Sequence, residues 1–368
     1  MRDLIYSDAL YAHFFNLLPE IGPAKLFRLC EYFGSFKKAY SANLQDLTVC
    51  GVDTELQQKI LSLQKNVNLE QEASFLNKES ISVITYQDPL YPKLLLETGR
   101  FPAILYFKGN LPNQGQICLG VVGTRKITTY GRTIMPEILN PLITSGIIVV
   151  SGLAYGVDAL AHELAVNLHS PTIAVLGGGL DAKSLYPQNH SLLAEKIIEN
   201  QGGLISEYPP FTPNLKHHFV SRNRIISGLS LGTLIVECSL NSGSLITAQH
   251  ALDQNRTVYA IPGPIYSENS KGPHNLIKMG ARLITSAEDI LQDLNLPALK
   301  TENENQTLFG NSPAENLILK HIGTETKNLN SLIKESGLSS SEVISALTFL
   351  EMKGKIRNLG GQQYILSK

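Results

Sequence analysis

A chain of 368 residues, 43% hydrophobic and 17% charged, has an ordinary globular composition and is too long for one typical core, so two or three domains are expected. A net charge of −1 excludes an overall electrostatic trap for nucleic acid, and no run of 18 apolar residues offers a membrane span. The first residues lack a signal peptide's apolar core, and Cys30, Cys50, Cys118 and Cys238 fit neither a zinc spacing nor a disulfide framework, so a reducing cytoplasm is expected.

Residues 1–78 read as a small all-α domain. Tyr11 to Leu18 is apolar and aromatic, and Leu26, Leu29 and Phe33 follow at helical spacing after a Pro- and Gly-containing turn. That turn, Ile21-Gly22-Pro23-Ala24-Lys25, resembles a helix-hairpin-helix hairpin, whose backbone N–H groups touch DNA phosphates. A poorer copy runs from Leu47 to Asp53. Both equally read as tight turns in a helical bundle whose net charge is negative.

Residues 79–296 alternate strand and helix patterns, which predicts a doubly wound, Rossmann-like parallel sheet and places the chain in the α/β class. Three continuous apolar runs end in glycine-containing turns: Ile117 to Arg125, Ile147 to Gly156, and Thr172 to Asp181. Buried parallel strands read as such runs. Glycine lets backbone N–H groups approach an anion, and a following helix points its positive end at the same place. A phosphate-binding crevice at the carboxyl ends of the strands is therefore expected. Further strands are expected at Gly203–Glu207, Leu231–Glu237 and Thr257–Pro262, with Ala281–Thr285 beyond them and Ile81–Thr85 and Pro102–Phe107 at one edge.

Residues 297–312 mix Asn, Glu, Thr, Pro and Gly with few apolar residues and read as a linker. Residues 313–368 carry 7 Lys+Arg against 5 Asp+Glu, the one positive piece of the chain. Their order of three helices and a Gly-Gly hairpin predicts a winged helix. The third helix, from Ser341 to Lys353, offers Ser, Glu and Thr before Phe349 but no Arg, Lys, Asn or Gln. Base-specific reading is therefore not expected of it.

Several enzyme signatures are missing. No Walker A loop occurs, and Gly120 and Gly123 do not match a dinucleotide fingerprint. Ala161-His162-Glu163-Leu164-Ala165 lacks the second His of a zincin helix, and His162 reads as a helix residue bonded near the second turn. No metal or cofactor is expected. Basic and polar side chains do stand beside the turns. Arg125 sits on the first and can hold a phosphate with two parallel bonds. Ser221 reads as an N-cap, which would put Arg222, Asn223 and Arg224 in a helix's first turn, where the macrodipole disfavours cations and a negative partner is implied. That partner is either a ligand or a carboxylate such as Glu207 or Glu237. Ser242, Gly243 and Ser244 repeat the anion-binding theme at another helix start, and Tyr186 and Phe219 are candidate stacking platforms as well as candidate core or lid residues.

In order along the chain, Val122-Gly123-Thr124-Arg125 with Tyr130-Gly131, Ser151 to Asp158 with Ala161-His162, Tyr186-Pro187, Ser206 to Pro209, Arg222 to Ser230, Ser242 to Ala248 and Ile261 to Gly263 resemble the DNA-processing protein A family (DprA/Smf). The resemblance covers about residues 80–290. It implies an extended Rossmann-like fold that binds single-stranded DNA without sequence preference, shields incoming DNA in natural transformation and hands it to the RecA recombinase. It implies a homodimer, with His274, Ile277 and Leu283 in the stretch that serves dimerisation and overlaps the RecA contact. For the DNA pocket it implies Gly123, Thr124, Arg125, Gly152, Gly177, Gly178, Gly179, Asn189, Arg222, Asn223, Arg224, Ser242, Gly243 and Ser244. Many relatives carry Lys where this chain has Gln188, so one phosphate contact is either lost or taken over by Lys183 or Lys196. The alternative is a nucleotide-processing enzyme of the phosphoribohydrolase-like Rossmann group. Gly232-Thr233 and Glu237 echo its pattern, but the preceding Pro-Gly-Gly is missing.

Overall fold

The computed structural model describes residues 7–296, 312–322 and 326–366, so most of the expected linker lies outside the described residues. The chain forms two compact units, Met1–Ala298 and Leu299–Lys368.

The first unit opens with six helices: α1 (Asp8–Asn16), α2 (Pro23–Phe33), α3 (Phe36–Tyr40), α4 (Leu44–Val49), α5 (Thr54–Asn66) and α6 (Leu69–Lys78). Their boundaries follow local chemistry. Ser35, Asn43, Asp53 and Asn68 each cap the helix that follows with a side-chain oxygen, and Gly34 ends α2 in the left-handed conformation.

The sheet then builds up through β1 (Ser82–Thr85), α7 (Lys93–Leu96), β2 (Ile104–Gly109), β3 (Cys118–Val122), α8 (Thr129–Thr144), β4 (Ile148–Ser151), α9 (Val157–Asn167) and β5 (Thr172–Val175). After a 3-10 turn at Gln188–His190 come α10 (Ser191–Glu199), β6 (Gly203–Ser206), α11 (Lys216–Gly228), β7 (Gly232–Ile235), α12 (Gly243–Asp253) and β8 (Thr257–Ala260). The unit closes with α13 (Lys271–Lys278), β9 (Arg282–Leu283) and α14 (Ala287–Asp293).

The nine strands lie in the order β1-β2-β6-β5-β4-β3-β7-β8-β9. From β6 to β9 every pairing is parallel, whereas β1 and β2 are added antiparallel at one edge. β3, β4 and β5 are buried along their whole length, which is why each reads as an unbroken apolar run.

Both faces of the sheet are covered. Ile225 and Ile226 of α11 and Ala248 of α12 pack with Val122, Val150, Val175 and Ile235 on one face. On the other, Leu10, Phe14 and Phe15 of α1 and Leu76 of α6 share a core with Tyr106, Ile197 and Leu204. The N-terminal helices therefore join the sheet's own core. His13, buried in α1, is hydrogen-bonded through Nδ1 to the Tyr106 hydroxyl of β2 at 2.9 Å. All four cysteines are free and buried.

The second unit holds α15 (Pro313–Ile322), β10 (Lys327–Asn328), α16 (Leu329–Ser336), α17 (Ser340–Met352), β11 (Ile356–Gly360) and β12 (Gln363–Leu366). β12 lies between β10 and β11, a small antiparallel wing. Ile318, Leu332, Val343, Leu347 and Leu350 fill its core.

Candidate functional site

The chain leaves β3 through α8 towards β4, while β7 lies on the other side of β3. That reversal of strand order is a topological switch point, and the crevice outside the carboxyl ends of its strands is where such sheets bind ligands.

The first turn is held from within. The Thr124 N–H donates to the Glu237 carbonyl at 2.6 Å, and the Thr124 carbonyl accepts from the Val157 N–H at 3.1 Å. Thr128 caps α8 by accepting from the Gly131 N–H at 3.2 Å. Its hydroxyl and its N–H donate to the two carboxylate oxygens of Glu237, at 2.6 and 3.0 Å. Glu237 is buried. The positive end of α8 thus already holds an anion, and it belongs to the chain. The glutamate that would serve a phosphoribohydrolase is committed to this brace.

The second turn is braced by a buried charged group. The Gly152 N–H donates to Asp158 Oδ2 at 3.1 Å, and the Gly152 carbonyl accepts from Arg222 Nη1 at 2.8 Å. Arg222 also donates to the Val175 carbonyl at the end of β5. A Cβ on Gly152 would stand 2.3 Å from Nη1, so only glycine admits the guanidinium here. Gly156 has a φ of +80°, and a Cβ there would meet the Thr124 carbonyl.

Burial pushes the Asp158 carboxyl up while Arg222 opposes the shift, and burial lowers Arg222 itself to about 10. His162 completes the cluster. The Thr172 hydroxyl donates to the Val149 carbonyl at 2.7 Å, so it accepts from His162 Nδ1 at 2.8 Å and leaves Nε2 as the unprotonated nitrogen. Burial, then the Arg222 charge, then His190 lower His162 to about 3.

The third turn differs from the sequence expectation. Gly177, Gly178 and Gly179 are buried, and Cβ atoms on them would meet Phe219, the Asn214 side chain, and Asp181 with the Pro209 carbonyl. The glycines admit the loop that crosses them, residues 208–219, rather than an open anion. No helix follows at once either, since α10 starts only at Ser191.

The arginine run is also corrected. α11 begins at Lys216 with Leu215 as N-cap, so Arg222, Asn223 and Arg224 lie inside the helix and the first-turn argument does not apply. Arg222 is spent on the brace. Arg224 Nη2 lies 2.5 Å from Glu207 Oε2, with the two side chains 15% and 10% exposed. Of the two carboxylates considered, Glu207 is the partner of Arg224. Asn223 accepts from Arg222 and donates to the Gly243 carbonyl at 3.4 Å.

What the crevice presents outward is a smaller set. Arg125 is exposed, and its guanidinium carbon lies 5.7 Å from the centroid of the Phe219 ring, within cation–π range. Arg125, Gly152, Tyr155, Tyr186, Pro187 and Phe219 line one pocket, with the Tyr186 and Phe219 rings 5.6 Å apart. Tyr155 and Tyr186 are 39% and 42% exposed.

Beside them, Ser242 caps α12 by accepting from the Ser244 N–H, and the Ser244 hydroxyl donates to the Gly123 carbonyl at 2.9 Å. This ties the start of α12 to the first turn, and Gly243 there faces open space. Asn189, Gln188 and Lys183 are exposed on the segment leading to α10. The set combines one exposed guanidinium, three aromatic faces and one open helix start, a chemistry suited to a phosphodiester with its attached rings. Tyr155 was not singled out from the sequence. The signal available was an aromatic residue in a glycine-flanked turn, where an apolar core has no use for it.

At the far edge, His274 Nε2 hydrogen-bonds the Gly263 backbone at 3.0 Å, and Ile277 is half-buried against the core. Leu283 on β9 and Met279 beside it are 49% and 69% exposed.

The family model for DNA recombination-mediator protein A matches residues 82–295, and that for the DprA winged helix domain matches residues 302–362. The Smf protein of Escherichia coli is 36% identical over 84% of this chain and 84% of its own. The DNA processing protein DprA of Bacillus subtilis is 39% identical over 59% of this chain and 72% of its own. Among solved structures, DNA processing protein A of Streptococcus pneumoniae superposes with a TM-score of 0.66 at 30% identity, covering 77% of this chain and 97% of that one. That of Helicobacter pylori, described for its single-stranded DNA binding mode, gives 0.51 at 26% identity, covering 58% and 95%.

Proposed function

This chain belongs to the DNA recombination-mediator protein A family, and from that premise we propose that it binds single-stranded DNA without sequence preference and without catalysing a reaction on it. The observation that carries the reading is the pocket in which exposed Arg125 lies over Phe219, beside Tyr155 and Tyr186. A guanidinium takes a phosphate of any nucleotide, and aromatic faces stack on any base, so affinity comes without sequence reading. The single-stranded DNA binding described for the Helicobacter pylori relative supports it.

The buried arginines serve this site indirectly. Arg222 fixes the second turn and Arg224 fixes Glu207, so the outward groups stand on a rigid floor. In this reading the protein shields single strands during natural transformation and passes them to the RecA recombinase. It acts in the cytoplasm as a homodimer that uses the edge bearing Leu283, with His274 and Ile277 behind it. Two pockets on one particle would raise affinity for long strands by avidity.

A gel-shift comparison of single- and double-stranded oligonucleotides with the full chain tests the reading. Retardation of the single strand at much lower protein concentration is expected, and equal retardation of both would contradict it. Incubation with nucleoside monophosphates should release no base. Base release abolished by Glu237→Ala would favour the enzyme instead.

A further inference from the structure

We infer that the single-stranded path continues past Phe219 into a second subsite, a cavity of about 580 Å³ that receives a nucleobase between the α1–α2 turn and the loop after β6. The inference rests on the single-strand reading above. Cavities of roughly 300–1,000 Å³ are the usual size for a small organic ring system.

The cavity and the first pocket are lined by consecutive residues of α11. His218 lines the cavity and Phe219, the next residue of α11, lines the pocket.

Its walls suit a flat ring. Leu18, Pro19, Ala103, Tyr208 and Pro213 are among the residues that line it. The Tyr208 and His218 rings are stacked with centroids 4.1 Å apart and planes 22° apart, and exposed His217 stands edge-on to His218 at 4.4 Å. Two polar atoms of the neighbouring ion pair are left over, Glu207 Oε1 and Arg224 Nη1. Glu207 lines the cavity with its side chain 10% exposed, and Arg224 takes Oε2. Oε1 is buried and without a hydrogen-bond partner among the described residues. A buried carboxylate oxygen in that state calls for an N–H donor. Nucleobases bring N–H donors on the edge of an apolar plate.

Charged side chains flank the lining residues in sequence, with exposed Glu20 between Pro19 and Ile21. Exposed Lys216 starts α11, and Lys25 lies in the first turn of α2, behind the N-cap Gly22 that lines the cavity. The N-terminal helices thus form one wall of the subsite. Phe75 of α6 also packs on Phe211 of the same loop, with ring centroids 4.9 Å apart.

The test is photocrosslinking of the full chain to an oligothymidylate carrying 4-thiothymidine, with the adducts mapped by mass spectrometry. Adducts are expected in residues 16–26 and 207–218 as well as around Tyr155, Tyr186 and Phe219. Thr212→Trp fills the cavity and should remove the first group of adducts while weakening binding about tenfold, the scale of one lost base stack. His217→Ala, an exposed substitution that leaves the fold alone, should weaken binding in the same direction. The subsite is overturned if the strand binds through Arg125 yet adducts stay around Phe219 and both variants keep wild-type affinity. A chain that binds no single strand contradicts the single-strand reading, and the subsite with it.

Discussion

Two guanidiniums sit within a short run of α11 and do different work from Arg125. Arg224 and Glu207 form a pair that is mostly withdrawn from water. Removing one partner of such a pair leaves an uncompensated charge, so Arg224→Ala should cost about 3–5 kcal/mol in denaturant unfolding. Its effect on DNA affinity should follow from that loss rather than from a missing phosphate contact. Unchanged stability would contradict the pairing. His162 gives a pH signature of its own. Its folded value, about 3, lies below its unfolded value, so the unfolded chain takes up a proton first as the pH falls. Stability should therefore drop from pH 7 to pH 5, by about 2 kcal/mol for this one group. His162→Gln should flatten that slope in a pH series of thermal melts, and an equally steep variant would reject the burial argument.

At the scale of elements, the parallel strands were legible because a strand buried on both faces needs only apolar side chains, and β3 to β5 supply them without a break. The winged helix was legible from its helix pattern and its turns, Gly337 and Gly360-Gly361, although the Ser339 cap of α17 was not read. Ser339 and Glu342 form a capping box there, so Ser339→Ala should lower the stability of the second unit by about 1 kcal/mol. A calorimetric transition unmoved by the substitution would speak against it. The start of α11 was not legible. Leu215 caps it without a side-chain hydrogen bond, while Ser221 inside the helix carries the local signature of a cap. The braces were hidden for another reason. Thr128 and Glu237 are 109 residues apart, and no local pattern announces a pairing over that distance. The glycines were read as admitting an anion, but what approaches Gly152 and the Gly177–Gly179 run in the structure is protein.

Over the whole molecule, the sheet brings the ends of β3, β4 and β5 together with the start of α11, and so gathers Arg125, Tyr155, Tyr186 and Phe219 from four separated stretches of chain. At the opposite edge β9 is two residues long, and Leu283 on it and Met279 at the end of α13 are exposed. An edge strand with exposed apolar groups is a pairing surface. Leu283→Arg should convert a dimer to a monomer in sedimentation velocity, and a dimer that persists would reject this edge as the interface.

The pocket itself is tested most directly by the salt dependence of single-strand affinity, compared between the wild-type chain and Arg125→Ala. Loss of one phosphate contact predicts weaker binding on every sequence, with the slope of log affinity against log salt reduced by about 0.7. An Arg125→Ala variant that is folded and keeps both the wild-type affinity and the wild-type slope would contradict the account.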